Sequence, residues 1–272
     1  MKTRVISAAV LLPLLILILF AAPKVLTAVL FAAASAVAAY ELLFGTGFVR
    51  RPFPLLVTAV TAVLVSLNSY FQVSNIWVKL GVLLFWVLLF AEMMRCNMSL
   101  LFSDAAVCFA AGLLIPYLLT GLVRIHNTEF GRWFVVVPFV LAFMSDTGAY
   151  FTGRAFGKHK LAPSISPKKT IEGVVGGVIG AMIGMLAFTF ILQIFFDFRV
   201  NYLYALIYGA VGSGAAVFGD LCFSVIKRQT GIKDYGKLIP GHGGILDRFD
   251  SMIVVAPLSE ILLIILPLAV KP

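Results

Sequence analysis

The sequence has 272 residues, of which 61% are hydrophobic and only 12% are charged. A soluble domain of this length needs about a quarter of its residues charged to cover its surface, so the composition excludes one. The chain is instead predicted to be an all-α, polytopic integral membrane protein. The net charge of +9 does not indicate a nucleic-acid-binding protein, because that interpretation needs a soluble basic face.

Nine apolar segments are predicted to be transmembrane helices, each close to the 20 or so residues that a bilayer requires. They cover residues 5–22, 25–44, 53–70, 76–94, 103–123, 133–153, 173–196, 202–223 and 250–270. The first segment is interpreted as a retained span, because no small-x-small cleavage site follows it. We expect a single membrane domain in which residues 1–130 form a scaffold and residues 131–272 carry the catalytic helices and loops. Small-residue surfaces leave a homodimer open.

Lys and Arg residues are unequally divided between the two sides of this predicted topology. Fifteen of the 21 fall on one side and six on the other. Because cytoplasmic loops carry the excess of positive charge, the N-terminus and the long polar loops 154–172 and 224–249 are predicted to be cytoplasmic. The C-terminus then lies outside. The expected location is the cytoplasmic membrane of a bacterium, with the polar site facing the cytoplasm.

Carboxylates from separate parts of the chain are predicted to lie at this cytoplasmic depth. Asp146 and Asp220 lie near the cytoplasmic ends of the sixth and eighth segments, and Asp247 and Asp250 at the start of the ninth. A charge at membrane depth is costly and marks a function or a paired partner. Two interpretations stay open for these acids. They hold a cation such as Mg²⁺, which typically takes one or two protein carboxylates and completes its shell with substrate phosphates, or they pair with neighbouring Lys and Arg residues.

Helical spacing gathers several of these groups on one face. If the eighth segment continues as a helix, positions i, i+4, i+7 and i+8 carry an acid, a hydroxyl and two cations. These residues are Asp220, Ser224, Lys227 and Arg228. Asp247 and Asp250, at i and i+3, also share a face.

Two loops offer groups that suit a phosphate-rich ligand. The loop 240–244 contains His242, Gly243 and Gly244, and glycines followed by a helix N-terminus let backbone N–H groups approach an anion. His242 is interpreted either as a phosphate donor or proton-transfer group, or as a structural residue. Lys168 and Lys169 lie in the other loop, where they either contact the ligand or are solvated.

Several stretches together resemble the signature of the CDP-diacylglycerol synthases, also called phosphatidate cytidylyltransferases. They are SVIKR at 224–228, KD at 233–234 and PGHGGILDRFD at 240–250. Upstream, SDTGAY at 145–150, residues 153–158 and SPKKT at 166–170 are similar to the same family. The resemblance is therefore specific over about 145–251, whereas hydrophobicity alone supports it before that.

The resemblance implies that CTP and phosphatidate react to give CDP-diacylglycerol and pyrophosphate, with Mg²⁺ required and a second, monovalent cation left open. The implied metal ligands are Asp220 and Asp247, with Asp146 in support. The expected catalytic residues are Asp220, Lys227, Arg228, Asp247 and Asp250. The expected substrate-binding residues are Lys168, Lys169, Ser224, His242, Gly243, Gly244 and Arg248.

Two other functions fit the sequence less well. A CDP-alcohol phosphotransferase would show a D-G-x₂-A-R motif, and this chain has no Asp-Gly pair. A secondary transporter for an anionic solute would have polar sites near the midplane and broken helices in two matching halves. Here the charges are predicted at one end of the spans.

Overall fold

The structure, a computed structural model, describes residue 9, residues 13–97 and residues 99–271. Within this part of the chain, seven helices are long and apolar enough to cross a membrane. They are α1 (Lys24–Gly45), α2 (Pro52–Phe71), α3 (Asn75–Arg95), α4 (Phe102–Asn127), α5 (Gly131–Phe156), α6 (Ile171–Phe196) and α7 (Tyr202–Gln229). They match seven of the predicted segments closely, which confirms the all-α polytopic class.

The other two predicted segments differ from this pattern. Segment 5–22 is described only at residue 9 and over residues 13–22, of which residues 13–20 are helical. Segment 250–270 contains a shorter helix, α9 (Met252–Ile265), which has 14 residues. At about 1.5 Å per residue it is about 21 Å long, less than the hydrocarbon core of about 30 Å. The count of nine spans therefore stays a prediction.

Three of the long helices contain irregular turns. Helix α1 ends in a π-helical turn, Glu41–Gly45. Helix α4 contains a second such turn, Ala110–Leu114, and is interrupted at Thr120. Helix α5 is interrupted between Phe134 and Val137. Because π-helical turns occur frequently at functional sites, the turn at the end of α1 indicates a functional side chain there.

The chain divides into two compact units. The first contains the chain up to Glu129 together with Gln229–Phe249, and the second contains Phe130–Arg228 and the chain from Asp250 onward. The first boundary lies close to the predicted limit at residue 130. Residues 229–249, however, group with the N-terminal helices. The assignment of a scaffold and a catalytic half stays a prediction.

In the first unit, side chains join the helix ends in two groups. At one end, Lys24 Nζ donates to Thr128 O at 3.0 Å, and Asn127 Nδ2 donates to Tyr70 O at 3.1 Å. At the other end, Arg51 Nη2 donates to Ser99 Oγ at 2.7 Å. This grouping is expected because consecutive membrane spans run in opposite directions, which places every second loop at the same end.

In the second unit, glycines let α5 and α6 pack closely. A Cβ on Gly148 would lie 2.3 Å from Gly176 O, and one on Gly177 would lie 3.0 Å from Ser145 O. Neither position has room for a side chain without moving a backbone. This contact is the one that a small-xxx-small spacing predicts.

Short strands close both ends of the second unit. Strands β1 (Lys160–Ala162) and β2 (Ser166–Thr170) form an antiparallel hairpin between α5 and α6. Thr170 then caps α6, because its Oγ1 accepts a hydrogen bond from Gly173 N at 3.1 Å. Strands β3 (Arg199–Val200) and β4 (Ala269–Val270) pair antiparallel at the other end.

Candidate active site

Helix α7 presents the predicted polar face. Ser224 Oγ donates to Asp220 Oδ1 at 3.4 Å, a long hydrogen bond between groups one helical turn apart. Asp220 follows Gly219, where a Cβ would meet Asp250 O and Ser251 Cα at 3.0 Å. The glycine therefore brings α7 against the backbone at the start of α9, within the second unit.

The hairpin supplies a cation to this face. Lys169 forms an ion pair with Asp220, and their side chains are only 24% and 31% exposed. Lys168, the preceding residue of β2, is exposed. Successive side chains of a strand point to opposite faces, which explains why only one of the two predicted lysines reaches the acid. Arg228 Nε donates to Ile165 O at 3.0 Å and also ties the hairpin to α7.

A second ion pair lies at the same end of α7. Lys227 Nζ is 3.9 Å from Asp250 Oδ2, and the two side chains are 11% and 13% exposed. A buried charge needs compensation, so removal of either partner would take away part of what stabilises the charge of the other. Asp250 Oδ1 also accepts a hydrogen bond from Ser251 N at 2.7 Å, which fixes its carboxylate at the start of α9.

Asp146 lies on an exposed part of α5. Its neighbour Ser145 is buried and hydrogen-bonds Ser213 of α7, with 2.7 Å between the hydroxyl oxygens. One helical turn further on, Arg154 Nη1 donates to Tyr150 Oη at 3.1 Å. Asp146, Tyr150 and Arg154 are at positions i, i+4 and i+8 and therefore share a face of α5. The serine pair fixes the depth of this helix against α7.

The glycine-rich loop belongs to the first unit and forms a tight turn. Ile239 N donates to Gly243 O, and His242 N donates to Ile239 O, each at 2.9 Å. Gly241 and Gly243 have φ angles of 79° and 85°, in the left-handed region that favours glycine. These glycines are required by the turn itself.

Asp247 holds this loop closed. It is 5% exposed and lies in the one-turn helix α8 (Leu246–Phe249). Its Oδ2 accepts hydrogen bonds from Tyr235 N at 2.8 Å and from Gly244 N at 3.0 Å. Part of this carboxylate therefore orients the loop that precedes it.

Glu41, at the end of α1, contacts the same loop and is not among the site residues that the sequence predicts. The structure shows its Oε1 accepting from Ile245 N at 3.1 Å and its Oε2 from Leu246 N at 2.8 Å. One signal could have found it: Glu92 has Arg95 three residues on, whereas the positions three and four residues from Glu41 are all uncharged.

These contacts change the view of the loop as an anion site. The N–H groups of Gly244, Ile245 and Leu246 all donate to protein carboxylates, those of Asp247 and Glu41. The sequence predicts that N–H groups at the start of this helix bind an anion. For these three N–H groups, the anion is a carboxylate side chain of the protein itself. Substrate binding by His242, Gly243 and Gly244 stays a prediction.

Alanine at Gly244 is expected to destabilise the protein. The added Cβ would lie 2.3 Å from Glu41 Oε2, and overpacking of this kind costs about 1–3 kcal/mol. The measurement is the thermal unfolding midpoint in detergent. Gly214→Ala is the matched control, because nothing lies within 4 Å of a Cβ at that position in α7. Equal midpoints for the two variants would contradict the contact.

Each unit, taken by itself, offers a carboxylate of the kind that binds a divalent cation. Within either unit, the described residues include no group of three or more His, Cys, Asp or Glu side chains that could hold a metal. Mg²⁺ does not need such a group, because one or two carboxylates and substrate phosphates suffice. Asp220 already pairs with a cationic ammonium group. Asp247 offers carboxylate oxygens as metal ligands, and two accepted hydrogen bonds fix its position.

Long apolar helices with carboxylates, lysines and a glycine-rich loop at their ends define a polytopic membrane protein with polar groups suited to phosphates and a cation. The chain matches the model of the cytidylyltransferase family over residues 2–266, and it belongs to this family. The family resemblance found in the sequence is thereby confirmed.

Curated relatives support the same assignment. The phosphatidate cytidylyltransferase of Staphylococcus saprophyticus is 42% identical over 164 residues, which is 60% of each chain. Proteins of the same name from Staphylococcus epidermidis and Staphylococcus aureus are 35% identical over 97% of this chain and 99% of their own. With seven helices of spanning length and these bacterial relatives, the chain is an integral membrane protein of the bacterial cell membrane.

Proposed function

We propose that this protein is a phosphatidate cytidylyltransferase, which makes CDP-diacylglycerol and pyrophosphate from CTP and phosphatidate. The observation that carries the proposal is the match to proteins of that name along 97% of the chain. The signature residues support it. Asp220 with Lys169 and Asp247 with its loop form two ordered arrangements of charge.

The reaction is a displacement at phosphorus. A phosphate oxygen of phosphatidate attacks the α-phosphorus of CTP and forms a new P–O bond. The bond from that phosphorus to the oxygen bridging to the β-phosphate breaks, and pyrophosphate leaves with its electron pair. The attacking oxygen is already anionic at neutral pH. Catalysis therefore depends mainly on positioning and on neutralising two polyanions.

The basic residues are proposed to do most of this neutralisation. Lys227, Arg228 and Arg248 hold phosphates, and Lys168 and Lys169 contact the triphosphate or the lipid head group. To do so, Lys169 leaves its ion pair with Asp220 and pairs with a substrate phosphate instead. His242 and the adjacent glycines line the pyrophosphate side.

Asp220 and Asp247 are proposed as Mg²⁺ ligands, with Asp146 in support and Asp250 acting through Lys227. When bound, Mg²⁺ neutralises phosphate charge and polarises the bond to the leaving group. The carboxylates themselves orient the cation. A second, monovalent cation is compatible with the same oxygen donors.

We propose a topology of nine spans with a cytoplasmic N-terminus and an outer C-terminus, and contacts within the second unit support the placement of the C-terminus. In the second unit, β3 pairs with β4, so the loop after α6 and the C-terminal residues lie at one end. The hairpin, Lys169 and Arg228 lie at the other end, where the cytoplasmic site is proposed. CTP then enters from water and phosphatidate from the leaflet.

A homodimer is proposed to form through the N-terminal helices. In α3, Phe85, Leu89 and Glu92 are the buried residues, and the rest of this helix offers its surface to lipid or to a second copy. The mass of the protein–detergent complex measures the oligomeric state.

The function is tested by following labelled CTP in detergent with phosphatidate, with and without Mg²⁺. We expect labelled CDP-diacylglycerol and an equal amount of pyrophosphate, both dependent on phosphatidate and on Mg²⁺. Omission of phosphatidate is the control, since a CTP hydrolase would release phosphate without it. CTP left intact with all components present would contradict the proposal. Lipid-independent uptake of an anion into vesicles would favour the transporter instead.

A further inference from the structure

Glu41 is a buried carboxylate that the proposed chemistry does not use. It begins the π-helical turn at the end of α1 and is 5% exposed. Burial of a carboxylate costs free energy unless hydrogen bonds compensate it. Backbone N–H groups of the segment that leads into Asp247 provide that compensation.

The contact joins residues about 200 positions apart in the sequence. Each oxygen of Glu41 accepts one hydrogen bond, from Ile245 N and from Leu246 N. N–H groups at the start of a helix have no partner within it, and a carboxylate is the group that best satisfies them. Glu41 thus caps α8 from a distant helix within the first unit.

Three glycines make room for this contact. A Cβ on Gly236 or on Gly244 would lie 2.3 Å from an oxygen of Glu41. A Cβ on Gly45 would lie 2.3 Å from the carbonyl oxygen of Tyr235. Small residues therefore occur on both sides, where the end of α1 and the loop approach each other.

Asp247 and Glu41 hold neighbouring parts of the same backbone. Asp247 Oδ2 accepts from Gly244 N, and Glu41 accepts from the next two N–H groups. A shift of this backbone would move Asp247, which follows directly. Mutation of a residue that orients a metal-binding carboxylate in this way commonly lowers metal affinity or activity by about 10- to 100-fold.

We propose that Glu41 is a positioning residue of the active site, which fixes the backbone of residues 244–246 and thereby sets the orientation of the Asp247 carboxylate. The inference rests on the proposed function for what Asp247 does. Glu41 acts through Asp247 and does not touch the substrate. The N-terminal helices then contribute to catalysis as well as to the scaffold.

Glu41→Gln tests this role with little change in shape. Gln keeps one acceptor oxygen but directs an NH₂ group at a backbone N–H, so one hydrogen bond is lost and two donors face each other. We expect kcat to fall about 10- to 100-fold and the Mg²⁺ concentration for half-maximal activity to rise. KM for phosphatidate is expected to stay unchanged. A merely structural loss would reduce the amount of active enzyme without moving the Mg²⁺ dependence.

Glu92→Gln is the matched control. Glu92 is 4% exposed in the same unit, but its partners are Arg95 and Cys96, neither of which belongs to the loop. This variant is expected to keep the wild-type kcat and Mg²⁺ dependence. If both variants lose activity with unchanged Mg²⁺ dependence, the effect is general destabilisation and the inference is wrong.

Hydrogen exchange supplies a measurement that does not depend on the reaction. In Glu41→Gln, amides 244–246 are expected to exchange faster than in the wild type, whereas those of α6 are not. If the wild-type protein shows no turnover of CTP with phosphatidate, the proposed function fails, and exchange still decides whether Glu41 fixes the loop. Wild-type exchange at these amides, or wild-type kcat and Mg²⁺ dependence in Glu41→Gln, would overturn the inference.

Discussion

Asp247→Asn is expected to lower cytidylyl transfer by about a thousandfold while the protein still folds. Asn keeps the size of the side chain and one acceptor oxygen for Tyr235 N and Gly244 N, which the carboxylate now bonds. What it loses is the negative charge proposed to hold Mg²⁺. A metal contributes several kcal/mol of charge stabilisation at a reacting phosphate, and about 4 kcal/mol corresponds to about a thousandfold in rate.

The rate is measured as labelled CDP-diacylglycerol formed per minute at saturating CTP and Mg²⁺. Asp197→Asn makes the same chemical change at the exposed C-cap of α6. There the backbone has a φ of 56°, a conformation that Asn tolerates well. This control is expected to keep wild-type activity. Activity of Asp247→Asn within tenfold of the wild type would remove Asp247 from the metal site.

Most of the helical architecture could be predicted from the sequence, because membrane spans are specified by composition and length. The seven long helices follow the apolar segments, and the glycine spacing of α6 predicts a close helix contact, which the structure shows to be with α5. The shortened helix α9 could not be predicted from hydropathy. The chain leaves the helix at Leu266, whose carbonyl oxygen accepts a hydrogen bond from Tyr208 Oη at 3.0 Å, and then pairs with β3.

Contacts within the candidate site could be predicted only between residues that are close in sequence. Asp220 and Ser224 share a helix face because helical periodicity alone places them there. Sequence spacing could not show that Lys169 pairs with Asp220, or that Glu41 holds the start of α8. Both contacts join residues that the fold, and not the local pattern, brings together. In each case, only the three-dimensional structure identifies the partner of a buried or half-buried charge.

The pairing of Lys169 with Asp220 allows the two interpretations of these acids to be separated. If Asp220 serves only as the partner of Lys169, then Asp220→Asn leaves an unpaired ammonium group, and Lys169→Met in the same chain should restore activity. If Asp220 holds Mg²⁺, the double variant should remain inactive. We expect Asp220→Asn to lose about a thousandfold and the double variant to recover less than about tenfold of that, since the lost metal contribution is several kcal/mol.

The comparison is a double-mutant cycle, and the single variant Lys169→Met completes it. That variant is expected to raise the KM for a phosphate-bearing substrate by about 10- to 150-fold, as loss of one hydrogen bond to a charged group costs about 1.5–3 kcal/mol. Asp104→Asn is the control, because Asp104 caps the start of α4 in the other unit by accepting from Leu101 N at 3.0 Å. Activity of the double variant close to the wild type would show that Asp220 is a structural ion-pair partner and that the cation is held elsewhere.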